Sequence, residues 1–93
     1  MTPRRLEVHP LAAKEARKAR RWYAKQSSLA ADRFMAELDR AIQQIVASPQ
    51  LFPPHWHGTR FYRIPRFPYL VIYLEDEESV QVLAVAHGRR RPA

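Results

Sequence analysis

The residues best suited to chemistry gather at the end of the chain. His87 stands beside Gly88 and three arginines, Arg89, Arg90 and Arg91. An imidazole next to guanidiniums can act as general acid or base on a phosphate that they hold. Arg60, Arg63 and Arg66 fall on or next to a neighbouring strand and are expected to converge on the same face. Cleaving RNA at a 2′-OH needs a base for that hydroxyl, an acid for the leaving oxygen and positive charge for the phosphorane. The cluster supplies cations and one proton carrier. Composition alone favours the plainer alternative, a basic rim that attracts a polyanion without chemistry.

Three further histidines are present. His55-Trp56-His57 looks at first like a ligand pair, and His9 precedes Pro10. A metal site needs three or four donors with supporting groups around them. No carboxylate lies near His55 and His57, so no metal site is expected; loop histidines flanking a packed tryptophan account for the motif. No P-loop, dinucleotide turn or nucleophile elbow appears, and no cofactor is expected. Phe61, Tyr62, Phe67, Tyr69 and Tyr73 resemble a base-stacking set, but strand alternation turns about half of them inward, and core packing explains most of them.

The chain has 93 residues, which sets an expectation of one domain over residues 1–93. It has no cysteine, which fits a reducing cytosol, and no apolar run long enough to span a bilayer. The N-terminus is basic but carries no apolar segment of the kind that starts a signal peptide. A cytoplasmic protein with no membrane partner is the expectation. The formal charge is +7, from 16 basic and 9 acidic residues, and four of the acids sit together at Glu75–Glu78. The remaining surface is strongly basic and favours a polyanion or an acidic protein segment. Solubility alone would also explain it.

The elements that must position these residues follow from periodicity. Leu6 and Val8 alternate with charged residues over Arg4–His9, an edge-strand pattern that Pro10 ends. Leu11–Gln26 reads as a helix, with Ala12, Ala16, Ala19 and Tyr23 on one stripe and Lys14, Lys18, Arg21 and Lys25 nearly opposite. Ser27-Ser28 breaks it with N-cap chemistry. Leu29–Ala47 reads as a second helix with Ala31, Phe34, Leu38, Ala41, Ile42 and Ile45 facing inward. So short a connector predicts an antiparallel hairpin. Ser48-Pro49 ends the second helix, and Leu51, Phe52 and Trp56 are expected to pin the proline-rich loop onto the core. Arg60–Ile64, Phe67–Leu74 and Ser79–His87 read as three strands of a meander, with Gly58 and Gly88 at turns or bulges. The expected architecture is α+β, β-α-α-β-β-β, with the helical hairpin on one face of a small antiparallel sheet and the first strand at an edge.

Taken together, these pieces resemble the ParE/RelE superfamily, the toxins of type II toxin–antitoxin systems. The resemblance rests on a first strand ending at Pro10, Trp22-Tyr23, and Ala31, Arg33-Phe34, Glu37-Leu38 and Ala41-Ile42. It continues through Ser48-Pro49, Arg60, Phe67-Pro68-Tyr69 and Ile72-Tyr73 to the terminal Val82–Arg90 run. It spans nearly the whole chain and implies the same element order.

The superfamily has two mechanisms: RelE-like members cut mRNA on the ribosome, and ParE-like members poison DNA gyrase without a known nuclease site. The RelE-like branch has an arginine where this chain has Leu70, lysines in a segment where Gln50–Thr59 has none, and further C-terminal proton-transfer groups. Only His87 and Arg89 remain as counterparts of a catalytic set. The resemblance therefore implies a ParE-like toxin that acts by binding gyrase rather than as an enzyme. Arg60, Arg63, Arg66, His87, Arg89 and Arg90 are the expected target contacts. Its expected partner is an acidic antitoxin meeting Lys14, Lys18, Arg21 and Lys25. A ribosome-dependent endoribonuclease, with ribosome and mRNA as partners, and a non-toxic basic interaction module are the alternatives.

Overall fold

A computed structural model describes residues 4–88. The first helix, α1 (Pro10–Gln26), begins on a proline whose fixed φ and missing N–H suit that position. His9 caps it: its Nδ1 accepts from the Leu11 N–H at 3.2 Å. Ser27 then serves two helices. Its N–H donates to the Tyr23 carbonyl and closes α1, while its Oγ accepts from Ala30 N–H at 2.9 Å and opens α2 (Ser28–Ala47). A connector of one residue forces the two helices back to back.

The stripes pack as their spacing requires. Ala12 and Ala19 of α1 are buried, and so are Ala31, Phe34, Leu38, Ala41 and Ile45 of α2. Small side chains on α1 allow the close approach, and the bulk comes from α2. Burying Phe34 completely contributes about 2–3 kcal/mol. Its ring anchors an aromatic cluster, stacked on Tyr23 at 5.3 Å and edge-to-face with Phe67 and Tyr69 at 5.4 Å each.

The sheet contains β1 (Arg5–Val8), β2 (Arg60–Arg63), β3 (Tyr69–Glu75) and β4 (Ser79–His87), in the order β1-β4-β3-β2. The meander β2-β3-β4 is antiparallel. β1 takes the expected edge place but runs parallel to β4, so the whole sheet is mixed. The register steps between Ile72 and Tyr73: Ile72 faces Ala84 and Tyr73 faces Val82, which leaves Leu83 as a bulge. Val71 and Tyr73 of β3 and Val80, Val82 and Val85 of β4 form the buried face beneath the helices. Of the two glycines only Gly58 (φ +76) has the left-handed backbone that needs glycine; Gly88 does not, and a Cβ there would meet only ordinary contacts.

The loop after α2 differs from expectation. Phe52 packs edge-to-face on Tyr62, but Leu51 and Trp56 are 73% and 66% exposed and do not close the core. Hydrogen bonds hold this loop instead. The Tyr73 hydroxyl donates to the Pro49 carbonyl at 2.5 Å, Arg60 Nη1 to the Phe52 carbonyl at 2.7 Å and Phe61 N–H to the Pro53 carbonyl at 3.1 Å.

Candidate functional site

Pleating decides which of the expected site residues can meet. Side chains alternate across a strand, and paired residues share a face. Arg60 pairs with Tyr73, so it lies on the helix side, where its guanidinium is engaged with the Phe52 carbonyl. Arg63 pairs with Leu70, and Leu70 with Ala86, all on the open face away from the helices. A Cβ placed on Gly88 would lie 3.8 Å from both Arg63 Nη1 and Leu70 Cγ, so these two side chains close around the end of β4. Phe61, Ile72 and Ala84 continue this face, which is apolar with Arg63 at its end.

His87 points the other way. It pairs with Tyr69 on the helix side, and the two rings meet edge-to-face at 5.2 Å. There an open groove of about 550 Å³ runs between α1 and the ends of β3 and β4, lined by Glu15, Lys18, Trp22, Tyr23, Tyr69 and His87 among others. The groove exists because β1 pairs with β4 only from Ser79 to Val82. Beyond that point no strand among the described residues covers the outer edge of β4, and the Glu15 carboxylate accepts from the Val85 N–H at 2.9 Å.

Arg66 occupies a third place. It follows Pro65 in a turn closed by the Phe67 N–H on the Ile64 carbonyl, and its φ is 70°. That is the third position of a type II turn, where glycine is the usual residue. Arg66 lines an open cleft of about 500 Å³ with Tyr23, Arg33, Glu37 and Phe67.

The expected convergence of Arg60, Arg63, Arg66 and His87 on one face is thus not what the fold produces: they stand in four settings. Arg89 and Arg90 lie outside the described residues. Lys14, Lys18, Arg21 and Lys25 are all exposed on α1, and Lys18 borders the groove that holds His87. Trp22, 55% exposed, and Glu15 are groove residues to which the sequence reading gave no role at a site. The signal was a tryptophan standing among the basic side chains of the solvent stripe; with Glu15 and Lys18 it falls at helical spacing on one face.

Burial, and secondarily the neighbouring Tyr69 hydroxyl, raises the Tyr23 phenol above its ordinary value. Tyr23 borders both cavities, and it stays protonated at neutral pH. His55 stacks on Trp56 and meets Phe61 edge-to-face, and its Nδ1 stands 3.5 Å from Thr59 Oγ1. Among the described residues no group of three or more His, Cys, Asp or Glu is placed to hold a metal ion, and no helix is long and apolar enough to cross a membrane.

A helical hairpin on one face of a four-stranded mixed sheet, with the other face open, is a fold seen in toxin–antitoxin structures. The chain superposes on a chain of the chromosomal ParDE TA system from P. aeruginosa with a TM-score of 0.68, at 16% identity, over 90% of this chain and 95% of that one. It superposes on a chain of the E. coli DinJ-YafQ toxin–antitoxin complex with a TM-score of 0.65, at 13% identity, over 92% and 93%. At such identities the likeness concerns the fold. In sequence, the family described as the ParE toxin of the type II toxin–antitoxin system parDE matches residues 6–92. Toxin ParE2 of Mycobacterium tuberculosis, from strains CDC 1551 / Oshkosh and ATCC 25618 / H37Rv, is 30% identical over 90 residues, covering 96% of this chain and 86% of the relative. The chain belongs to the ParE toxin family of type II toxin–antitoxin systems.

Proposed function

We propose that this ParE-family toxin acts in the cytoplasm by binding and inhibiting DNA gyrase, without a catalytic step of its own, and that an acidic antitoxin neutralises it. One observation carries the reading: Leu70, which by resemblance takes the place of the RelE-like branch's arginine, faces Ala86 on the open sheet face, while His87 stands on the opposite face. A phosphate bound at Arg63 would have no imidazole beside it. Without acid, base and cation around one phosphorus atom, transition-state stabilisation is lost. Of the expected target contacts, Arg63 and Arg66 are the described arginines left to meet the target, joined by Arg89 and Arg90.

The test is a supercoiling assay with purified protein and gyrase, run beside cleavage of mRNA on ribosomes. Inhibition of gyrase that survives His87→Ala supports the proposal. Ribosome-dependent cleavage that His87→Ala abolishes, with gyrase untouched, replaces it by the endoribonuclease reading with His87 and Arg89 in the catalytic role. Silence in both assays favours a non-toxic basic interaction module.

The antitoxin is proposed to present acidic side chains to Lys14, Lys18, Arg21 and Lys25 and to lay an apolar side chain against Trp22. Exposed charges steer association and are screened by salt. The association rate should fall by about ten-fold or more between low and high ionic strength. A rate independent of salt refutes steering by this stripe.

A further inference from the structure

We propose that two copies of this chain join through β1, edge to edge and antiparallel, into one continuous eight-stranded sheet with Leu6 on the two-fold axis. The proposal is independent of the gyrase reading. β1 is an outer strand, and all four of its residues are exposed, including Leu6 at 42% and Val8 at 46%. Both face the helix side, as their partners Val80 and Val82 do. Among the described residues α1 packs chiefly over β4, which leaves them exposed.

The backbone selects the register. Arg5 N–H and His9 N–H point inward to carbonyls of Glu78 and Val82, so Glu7 also points inward. The N–H and C=O groups of Leu6 and Val8 therefore point outward, to the free edge. An antiparallel neighbour can meet them with Leu6 opposite Leu6 of the second copy and Val8 opposite Arg4. In that register Arg5 lies directly opposite Glu7 of the second copy, twice by symmetry. Within one copy Arg5 Nε and Glu7 Oε1 already stand 3.3 Å apart, exposed at 70% and 49%. The next register would set Glu7 against Glu7 and Arg5 against His9. Edge strands that avoid pairing carry charges that repel their own copy; opposite charges two residues apart do the reverse.

The helices also fit. Two β4 strands separated by two β1 strands lie three strand spacings apart, about 14 Å. Packed helices need about 10 Å. The copies of α1 can ride side by side, with Leu6 and Val8 of both chains filling the floor between them.

Sedimentation velocity of the purified chain over a concentration series tests this. The chain alone should dimerise. Arg5→Glu and Glu7→Arg each set like charges across the axis at two symmetric places and should raise the dissociation constant by about ten-fold or more. The double variant Arg5→Glu/Glu7→Arg should recover the parent value, and Leu6→Lys should leave only monomer. Because these side chains are exposed, circular dichroism should show each variant folded. A chain that stays monomeric at every concentration overturns the proposal. So does a dimer indifferent to these substitutions, or a double variant as weak as the singles.

Discussion

Replacing Tyr73 by phenylalanine removes one oxygen atom from the centre of the molecule. The Tyr73 ring is fully buried, and its hydroxyl donates to the Pro49 carbonyl at 2.5 Å, a contact that spans 24 residues. Pro49 is buried too, so its carbonyl has little access to water once the donor is gone. Leaving a buried acceptor unpaired costs about 1–2 kcal/mol at neutral pH. For a domain of this size that lowers the melting temperature by about 5–15 °C.

The same hydroxyl makes a second, opposite-going prediction. Burial is the main cause that pushes the Tyr73 phenol from 10.0 up to about 12, with Arg60 acting against it and Glu75 with it. The folded state thus favours the neutral form. Its contribution is complete below the unfolded value and is lost as pH rises from there through the folded value. The full shift corresponds to about 2–3 kcal/mol. Urea unfolding of parent and Tyr73→Phe, at neutral pH and in steps from about pH 9 to about pH 11.5, reads both effects. The parent should be the more stable at neutral pH and should lose its lead as the solution becomes alkaline. Tyr23, raised for similar reasons, remains in both proteins and drops out of the difference. Two curves that decline in parallel, or a variant as stable as the parent at neutral pH, refute the reasoning.

Asp76→Asn tests the acidic tip. The Asp76 carboxylate accepts from the N–H groups of Glu78 and Ser79, and these two bonds, chiefly, hold it below the usual carboxylate range. A depressed value means that the group stabilises above the ordinary carboxylate range and ceases to as pH falls through its folded value. The parent's advantage in urea midpoint should therefore be present at neutral pH and vanish in acid. Arg66→Gly should change stability by between zero and about 1 kcal/mol in the favourable direction, because glycine accepts the positive φ at some entropic cost. It should weaken target inhibition all the same, a split that thermal melts and supercoiling assays separate. Ala12→Leu places a large side chain at a fully buried alanine and should destabilise by about 1–3 kcal/mol, measured by urea unfolding.

The elements were legible because their signals are local. Pro10 starts α1 with its fixed φ and no N–H to satisfy, Ser27 starts α2 by accepting from the Ala30 N–H, and the alanine stripe of α1 and the Phe34–Ile45 stripe of α2 follow from a period that any helix imposes. Alternation placed Val71 and Tyr73 together on the inner face of β3. It could equally have separated Arg60 from Arg63, since residues three apart in a strand lie on opposite faces. Expecting them to converge overlooked that parity. Leu51 and Trp56 looked like core residues because they are large and apolar. Their exposure goes with a loop held by its carbonyls, from the Tyr73 hydroxyl 24 residues on and from the nearer Arg60 guanidinium.

By itself the sequence determined the order of elements, the cap at Ser27, the apolar stripes and the basic solvent face of α1, all of which follow from spacings within about two turns or one strand. The parallel seat of β1, the bulge at Leu83, the groove behind His87 and the separation of His87 from Arg63 were decided only in the tertiary structure. Each depends on which strand lies beside which and in what register, and register is set by long-range pairing that no local spacing encodes.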